Sequence, residues 1–255
     1  MPPWQPFCIP SLFRAKGVLD RHLITGERRE EVIIKRKGIV WTLLFVLLTA
    51  VAPAGAAWGG GVPGRFDFYV LALSWSPAFC DEARNRDHPQ CRAASPSAFV
   101  LHGLWPQYER GYPRDCSAIP FPEGLKAEFP KLFPHDALYA HEWRRHGTCS
   151  GLSPRGYLAL AKRIREGVII PPAYEGPDKP LRLTVERLRS DFIRSDGRLS
   201  PRGIVPVCSH GGRFLKEVWL CFEKDGRPRD CSEEILKRGR KTCRQETFLL
   251  KPPRP

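Results

Sequence analysis

A chain of 255 residues, 42% of them hydrophobic, is long enough to bury a substantial core in one generous domain or two small ones, and its composition excludes a disordered polymer. With 41 Lys and Arg against 27 Asp and Glu, the formal net charge at pH 7 is +14. Such a field attracts polyanions, whether nucleic acid or an anionic membrane surface.

Residues 1–31 carry no clear periodicity. From Lys35 the chain reads KRKGIVWTLLFVLLTAVAPAGAAW: a cationic start, an apolar run from Ile39 to Ala52, a break at Pro53, then small residues. This is the pattern of a cleaved export signal over 32–57. An uncleaved anchor is the competing reading, but a span needs about 20 apolar residues and this run is shorter. Signals normally begin at the terminus, and Met1 is the only methionine. The expectation is therefore that initiation falls near Val32 and that 1–31 is an unexplained extension from a misplaced start. The exported domain is 58–255, periplasmic or secreted. It keeps a net charge of +10, so the basic character belongs to the domain itself.

Beyond the signal stand Cys80, Cys91, Cys116, Cys149, Cys208, Cys221, Cys231 and Cys243. An even count behind an export signal reads as four disulfides. Zinc is the competing use, but no C-x-x-C pair occurs. Cys221 and Cys231 are symmetric about the turn signal Asp225-Gly226, and Cys208 and Cys243 centre on nearly the same point. A hairpin-like return would nest Cys221–Cys231 inside Cys208–Cys243.

In chain order, FDFYVLALSW predicts a strand from Phe66 to Trp75, and Cys80 to Pro96 is loop-like. A second strand runs from Ala98 to His102, ended by Gly103 and Pro106. One short helix lies between Phe121 and Pro134. A helix from about His135 to His146 follows, with Gly147 at the C′ position. Two more helices begin at Pro154 and near Thr184. FLKEVWLCFEK is a strand followed by a polar, basic tail. Strands and helices without a regular βαβ rhythm predict an α+β fold: a central, mainly antiparallel sheet with surrounding helices.

The segment HEWRRHGTC concentrates titratable groups. At about 100° per residue, Leu138, His141, Glu142, Arg145 and His146 share one helix face, with Trp143 turned to the core and Arg144 to solvent. Metal ligation fits poorly, because the zincin spacing puts its second histidine where Arg145 stands and a guanidinium repels a dication. A solvated, capped helix end is the bland alternative. It fares worse beside FVLHGLWPQ, where His102 ends a strand, Gly103 permits close approach and Trp105 is large enough to stack on a base. Two imidazoles flanking cations suit RNA cleavage by the substrate's own 2′-hydroxyl: one removes its proton and the other protonates the departing 5′ oxygen. Arg145 and a protonated His141 would hold the phosphate.

FVLHGLWPQ and HEWRRHGTC resemble the two active-site segments of the ribonuclease T2 family, and the likeness extends from FYVLALSWSPAFC through the C-terminal cysteines, nearest to the bacterial branch. The resemblance implies a four-disulfide α+β fold and an endoribonuclease for single-stranded RNA. It implies no metal or other cofactor, a 2′,3′-cyclic phosphate intermediate opening to a 3′-phosphate, and low base specificity. It assigns His146 as general base, His102 as general acid, Glu142 and Arg145 to the transition state, His141 to phosphate and Trp105 to the nucleotide site. It also implies Cys80–Cys91 and Cys116–Cys149, the latter tying the two segments together. Relatives usually carry lysine at Arg145, and many have an aromatic at Leu138, tryptophan at Tyr139 and glutamine at Ser74, so base preference is the property these departures touch. The expected partner is RNA and not DNA, with no stable membrane association after signal cleavage, and the protein acts as a monomer. A secreted basic module that binds RNA or another polyanion without cleaving it is the alternative; a metal-dependent hydrolase is a third.

Overall fold

The alternating stretch forms β1, Phe68–Trp75, two residues shorter at its start than its pattern suggests, and all eight of its residues are buried. The computed structural model describes residues 60–92 and 99–253; the extension 1–31, the signal 32–57 and the start near Val32 lie outside the described residues. Tyr69, Leu71, Leu73 and Trp75 enter the main core, while Phe68 and Val70 point to a smaller cluster on the other face. Each fully buried Leu or Phe contributes about 1.5–3 kcal/mol relative to exposure.

β1 lies between β2 (Phe99–Gln107) and β5 (Phe214–Phe222) in a six-stranded sheet of order β2-β1-β5-β6-β3, with β4 (Ile204–Ser209) also pairing with β5. β3 is Leu181–Leu183 and β6 is Phe248–Leu250. Only the Phe214–Leu249 contact between β5 and β6 is parallel. The mainly antiparallel α+β arrangement is thus the observed one. The second strand, however, does not stop at Gly103. It continues through Pro106 to Gln107, because β2 is an edge strand and a proline's missing N–H is tolerated there.

The stretch after β1 is not all loop: α1 (Ser76–Cys80) and α2 (Pro89–Arg92) lie within it. α3 (Leu125–Glu128) is the short helix between prolines. α4 spans Asp136–Arg145. α5 (Pro154–Gly167) starts at its proline, with Ser153 Oγ accepting from the Gly156 N–H at 3.1 Å. α6 (Val185–Ser195) is capped by Thr184, which accepts from Arg187 N–H at 3.1 Å. The polar, basic tail contains a further helix, α7 (Glu233–Thr242), and then β6. α7 buries only Ile235, Leu236 and Gly239, too sparse an apolar stripe to stand out among its charges. Among the described residues no helix is long and apolar enough to cross a membrane.

Four disulfides join Cys80–Cys91, Cys116–Cys149, Cys208–Cys243 and Cys221–Cys231. The turn at Gly226 is present, with φ of 90°. The outer bridge, though, fastens the residue after α7 to β4 rather than closing a longer hairpin.

Gly147 follows the cap of α4 but has no positive φ; it opens a 3-10 turn, Gly147–Cys149. Its glycine is needed for space, since a Cβ there would sit 2.4 Å from the Trp143 ring and 2.9 Å from Tyr157, both buried. Gly147→Ala is expected to destabilise the fold by about 1–3 kcal/mol through overpacking, read as a lower midpoint in urea denaturation. An unchanged midpoint would contradict the packing described.

Candidate active site

β2 is one residue longer than the segment of β1 it faces. Ala72 pairs with Gly103 and Leu73 with Leu101, so His102 is the extra residue of a β-bulge. In a regular strand, residues three apart face opposite sides. Here Leu101 and Leu104 both enter the main core, and the rings of His102 and Trp105 meet on the other face at 5.1 Å. Bulges commonly re-aim side chains beside reactive sites.

α4 delivers the second group. Trp143 is buried and its Nε1–H donates to Ile119 O at 2.8 Å, which fixes the roll of the helix and exposes Arg144. Glu142 is also buried, and Trp105 Nε1–H donates to its Oε2 at 2.9 Å. That bond passes over Gly103, where a Cβ would lie 2.0 Å from the carboxylate oxygen. His146 is the cap residue beyond α4, with non-helical φ −127° and ψ −47°, so the helical-face projection does not apply to it. Its ring lies 5.4 Å from Trp105, on the same indole that His102 touches. Arg145 is paired through Nη1 with Asp115, whose other carboxylate oxygen lies 3.4 Å from Arg144. His141 sits on the exposed flank of α4, and Leu138 packs against the core edge.

Trp105, Arg145 and His146 form one wall of a cleft of about 270 Å³, closed by Tyr112, Trp219 and Arg238. Trp219 meets Trp105 edge-on at 5.7 Å. Arg238, from α7, lies 5.3 Å over the Tyr112 ring and pairs with Glu234 at 2.8 Å.

The two imidazoles have opposite environments. For His146, burial and then the positive charges of His102, His141 and Arg145 push the pKa down to about 3, and its Nδ1 is buried without a hydrogen-bond partner. For His102, burial also opposes the charged form, but the hydrogen bond and charge of Glu217, aided by Glu142, outweigh it and raise the pKa. His141 is held below its ordinary value by desolvation and then by Arg144, His102 and Arg145. Burial pushes the Glu142 carboxyl up to about 7 against the opposing effects of His102 and Trp105.

The structure therefore brings His102, Trp105, Glu142, Arg145 and His146 together, with His141 at the rim. It adds Glu217, Trp219, Asp115, Tyr112 and Arg238, which sequence reasoning passed over. Glu217 had a signal: the single carboxylate of the strand FLKEVWLCF. The others had none that a single chain displays.

The ribonuclease T2 family profile matches residues 66–172. A ribonuclease of Aeromonas hydrophila is 37% identical over 217 residues, 82% of this chain and 96% of the relative. Two solved structures share the fold: trichomaglin, an S-like ribonuclease (19% identity, TM-score 0.57, 74% of this chain, 99% of the other), and RNase NT in complex with 5′-AMP (22%, 0.51, 74% and 99%). The arrangement is that of an RNA-cleaving enzyme. The chain belongs to the ribonuclease T2 family, and it is a T2-type endoribonuclease.

The raised Glu142 pKa carries a stability consequence. An unfolded carboxyl ionises near its ordinary 4.5 while the folded one holds its proton to about 7, so the fold loses stability as pH climbs from about 4.5 through 7. Glu142→Gln, which keeps an acceptor for Trp105, is expected to flatten that part of the stability profile. Urea midpoints between pH 4 and 8 check it, and parallel profiles for both proteins would reject it.

Proposed function

We propose that this endoribonuclease cleaves single-stranded RNA by metal-independent transesterification, with His146 as general base and His102 as general acid. His146 takes the 2′-hydroxyl proton, and the 2′ oxygen forms a bond to phosphorus. The bond from phosphorus to the 5′ oxygen breaks, and that oxygen receives its proton from His102. The product is a 2′,3′-cyclic phosphate, which water then opens to a 3′-phosphate. Arg145 and His141 face the phosphate oxygens, Glu142 supports the charge that develops there, and Trp105 shapes the nucleotide site.

The observation that carries this reading is the pair of imidazoles on one indole with opposite electrostatic bias. A base must start neutral, and His146 is held neutral. An acid must start protonated, and His102 is biased toward the charged form. The pH window for turnover then opens above the low pKa of His146 and closes as pH rises through that of His102, above its ordinary 6.5. The cleft presents indole and phenol surfaces, which stack on any base, and this supports low base specificity. The same reading includes an exported protein, since four disulfides suit an oxidising compartment, acting as a monomer, without stable membrane association, on RNA and not DNA.

The test is product analysis on a defined oligonucleotide in excess EDTA. Cyclic-phosphate ends should form at an undiminished rate, and DNA of the same sequence, lacking the internal nucleophile, should stay intact. Activity abolished by chelation, or cleaved DNA, would overturn the mechanism; RNA bound but never cut would favour a binding module. His102→Ala and His146→Ala should each lower cleavage by roughly 10²–10⁴-fold with binding largely kept.

A further inference from the structure

We propose that Glu217 is a positioning residue for this reaction: it holds His102 by Nδ1, leaving Nε2 as the nitrogen that gives its proton to the departing 5′ oxygen. The inference rests on the reading of His102 as the general acid.

β2 and β5 are separated by β1, so their backbones lie roughly 9–10 Å apart. Side chains on them meet only if the intervening strand carries something small at that point. It does: the β1 residues sharing that face beside the bulge are Ala72 and Ser74, Ser74 lying opposite Glu217. The bulge places His102 on the same face, and His102 Nδ1 lies 2.9 Å from Glu217 Oε1.

An acceptor-only carboxylate fixes Nδ1 as the donating nitrogen. Glu217 is itself held by three donors. Ser74 Oγ–H donates to Oε1 at 3.0 Å and Trp219 Nε1–H to Oε2 at 2.8 Å, in addition to the His102 bond. Burial opposes its ionisation, but His102 and then these donors keep its pKa below the ordinary carboxylate value. A buried ionised acid with this many partners is an anchor that one imidazole can be oriented against.

Other charges also face His102. Glu142 from α4 favours its protonated form, while Lys216, the bulged residue beside Glu217, opposes it. The electrostatic effects of His135, His141 and His146 couple to it as well. Without Glu217, Glu142 alone would oppose the lowering effects of burial and Lys216.

Glu217→Gln is expected to lower kcat on RNA with KM little changed, by less than the roughly 10²–10⁴-fold worth of the acid itself. The alkaline limb of the pH–rate profile, and the His102 titration followed by NMR, should move down by about one pH unit or more. A purely structural residue would not move that limb. A nucleoside 3′-(4-nitrophenyl phosphate) separates the two layers of the argument, because its leaving group departs without a proton. On it the defects of Glu217→Gln and His102→Ala should both shrink. If the His102→Ala defect is equally large on both substrates, the general-acid reading fails. If His102→Ala is rescued but Glu217→Gln keeps the wild-type alkaline limb, or loses equally on both substrates, the inference about Glu217 fails alone. Should Glu217→Gln not fold, Glu217→Asp keeps the charge one methylene short. It is expected to lower kcat on RNA more than on the aryl ester, and unchanged kcat would overturn the proposal.

Discussion

The bulge at His102 is the constraint on which the arrangement depends. Without it, Leu101 and Leu104 could not both enter the core while His102 and Trp105 share the opposite face, since a regular strand alternates with period two. The offset is held by pairing on either side, from Phe68–Gln107 to Trp75–Phe99, and β1 is held in turn by β5. A slip of one residue would exchange the core set for the site set. Gly103 belongs to the same device: it is where the Trp105–Glu142 bond crosses the backbone, and any side chain there would occupy the carboxylate's position.

Two buried carboxylates in one site have opposite fates, and the difference lies in their donors. Glu217 has three hydrogen-bond partners and is held ionised. Glu142 has the Trp105 indole N–H and is pushed up to about 7. Desolvation is the largest influence on each, so what separates them is the number of groups that favour the anion. The ionised one lies against His102 and biases it toward the imidazolium. His146 has a buried, unpartnered Nδ1 and cations on several sides, and is biased toward the neutral ring. Placing the charge-favouring carboxylate against only one of two imidazoles gives the two rings opposite protonation bias without any difference in the residues themselves.

Much of this was legible in the sequence, and the line between legible and hidden follows the range of the interactions. Local pattern sufficed for β1, α4, α5 and α6, whose apolar spacing, with the caps of α5 and α6, lies within one segment. The pair FVLHGLWPQ and HEWRRHGTC was enough to gather His102, Trp105, Glu142, Arg145 and His146. The bulge was not visible, because register is a relation between two strands, and His102 looked instead like a strand's last residue. α7 was hidden by its own charges: three buried residues in ten leave no apolar stripe until β4 is known to lie beneath Gly239. Glu217 is 115 residues from His102, and only the strand order makes them neighbours.

Arg145 is held in place by the loop that faces its helix. A lysine is a point charge, whereas a guanidinium is a planar fork with five donors that can engage two acceptors at once. One side of the fork is taken by Asp115, and the guanidinium also lines the cleft. Asp115 adopts a left-handed backbone, φ 49°, a conformation aspartate tolerates better than most residues. It is held there by its N–H donating to Arg145 O at 3.1 Å and by the adjoining Cys116–Cys149 bridge. Cys116 N–H also donates to Thr148 Oγ1 at 3.1 Å, so the loop is fastened to the turn after α4 by backbone, side chain and disulfide together. The bridge therefore does more than close a loop. It keeps the partner of Arg145 in register with the helix that carries it, so the planar guanidinium presents its charge to the cleft from a fixed direction.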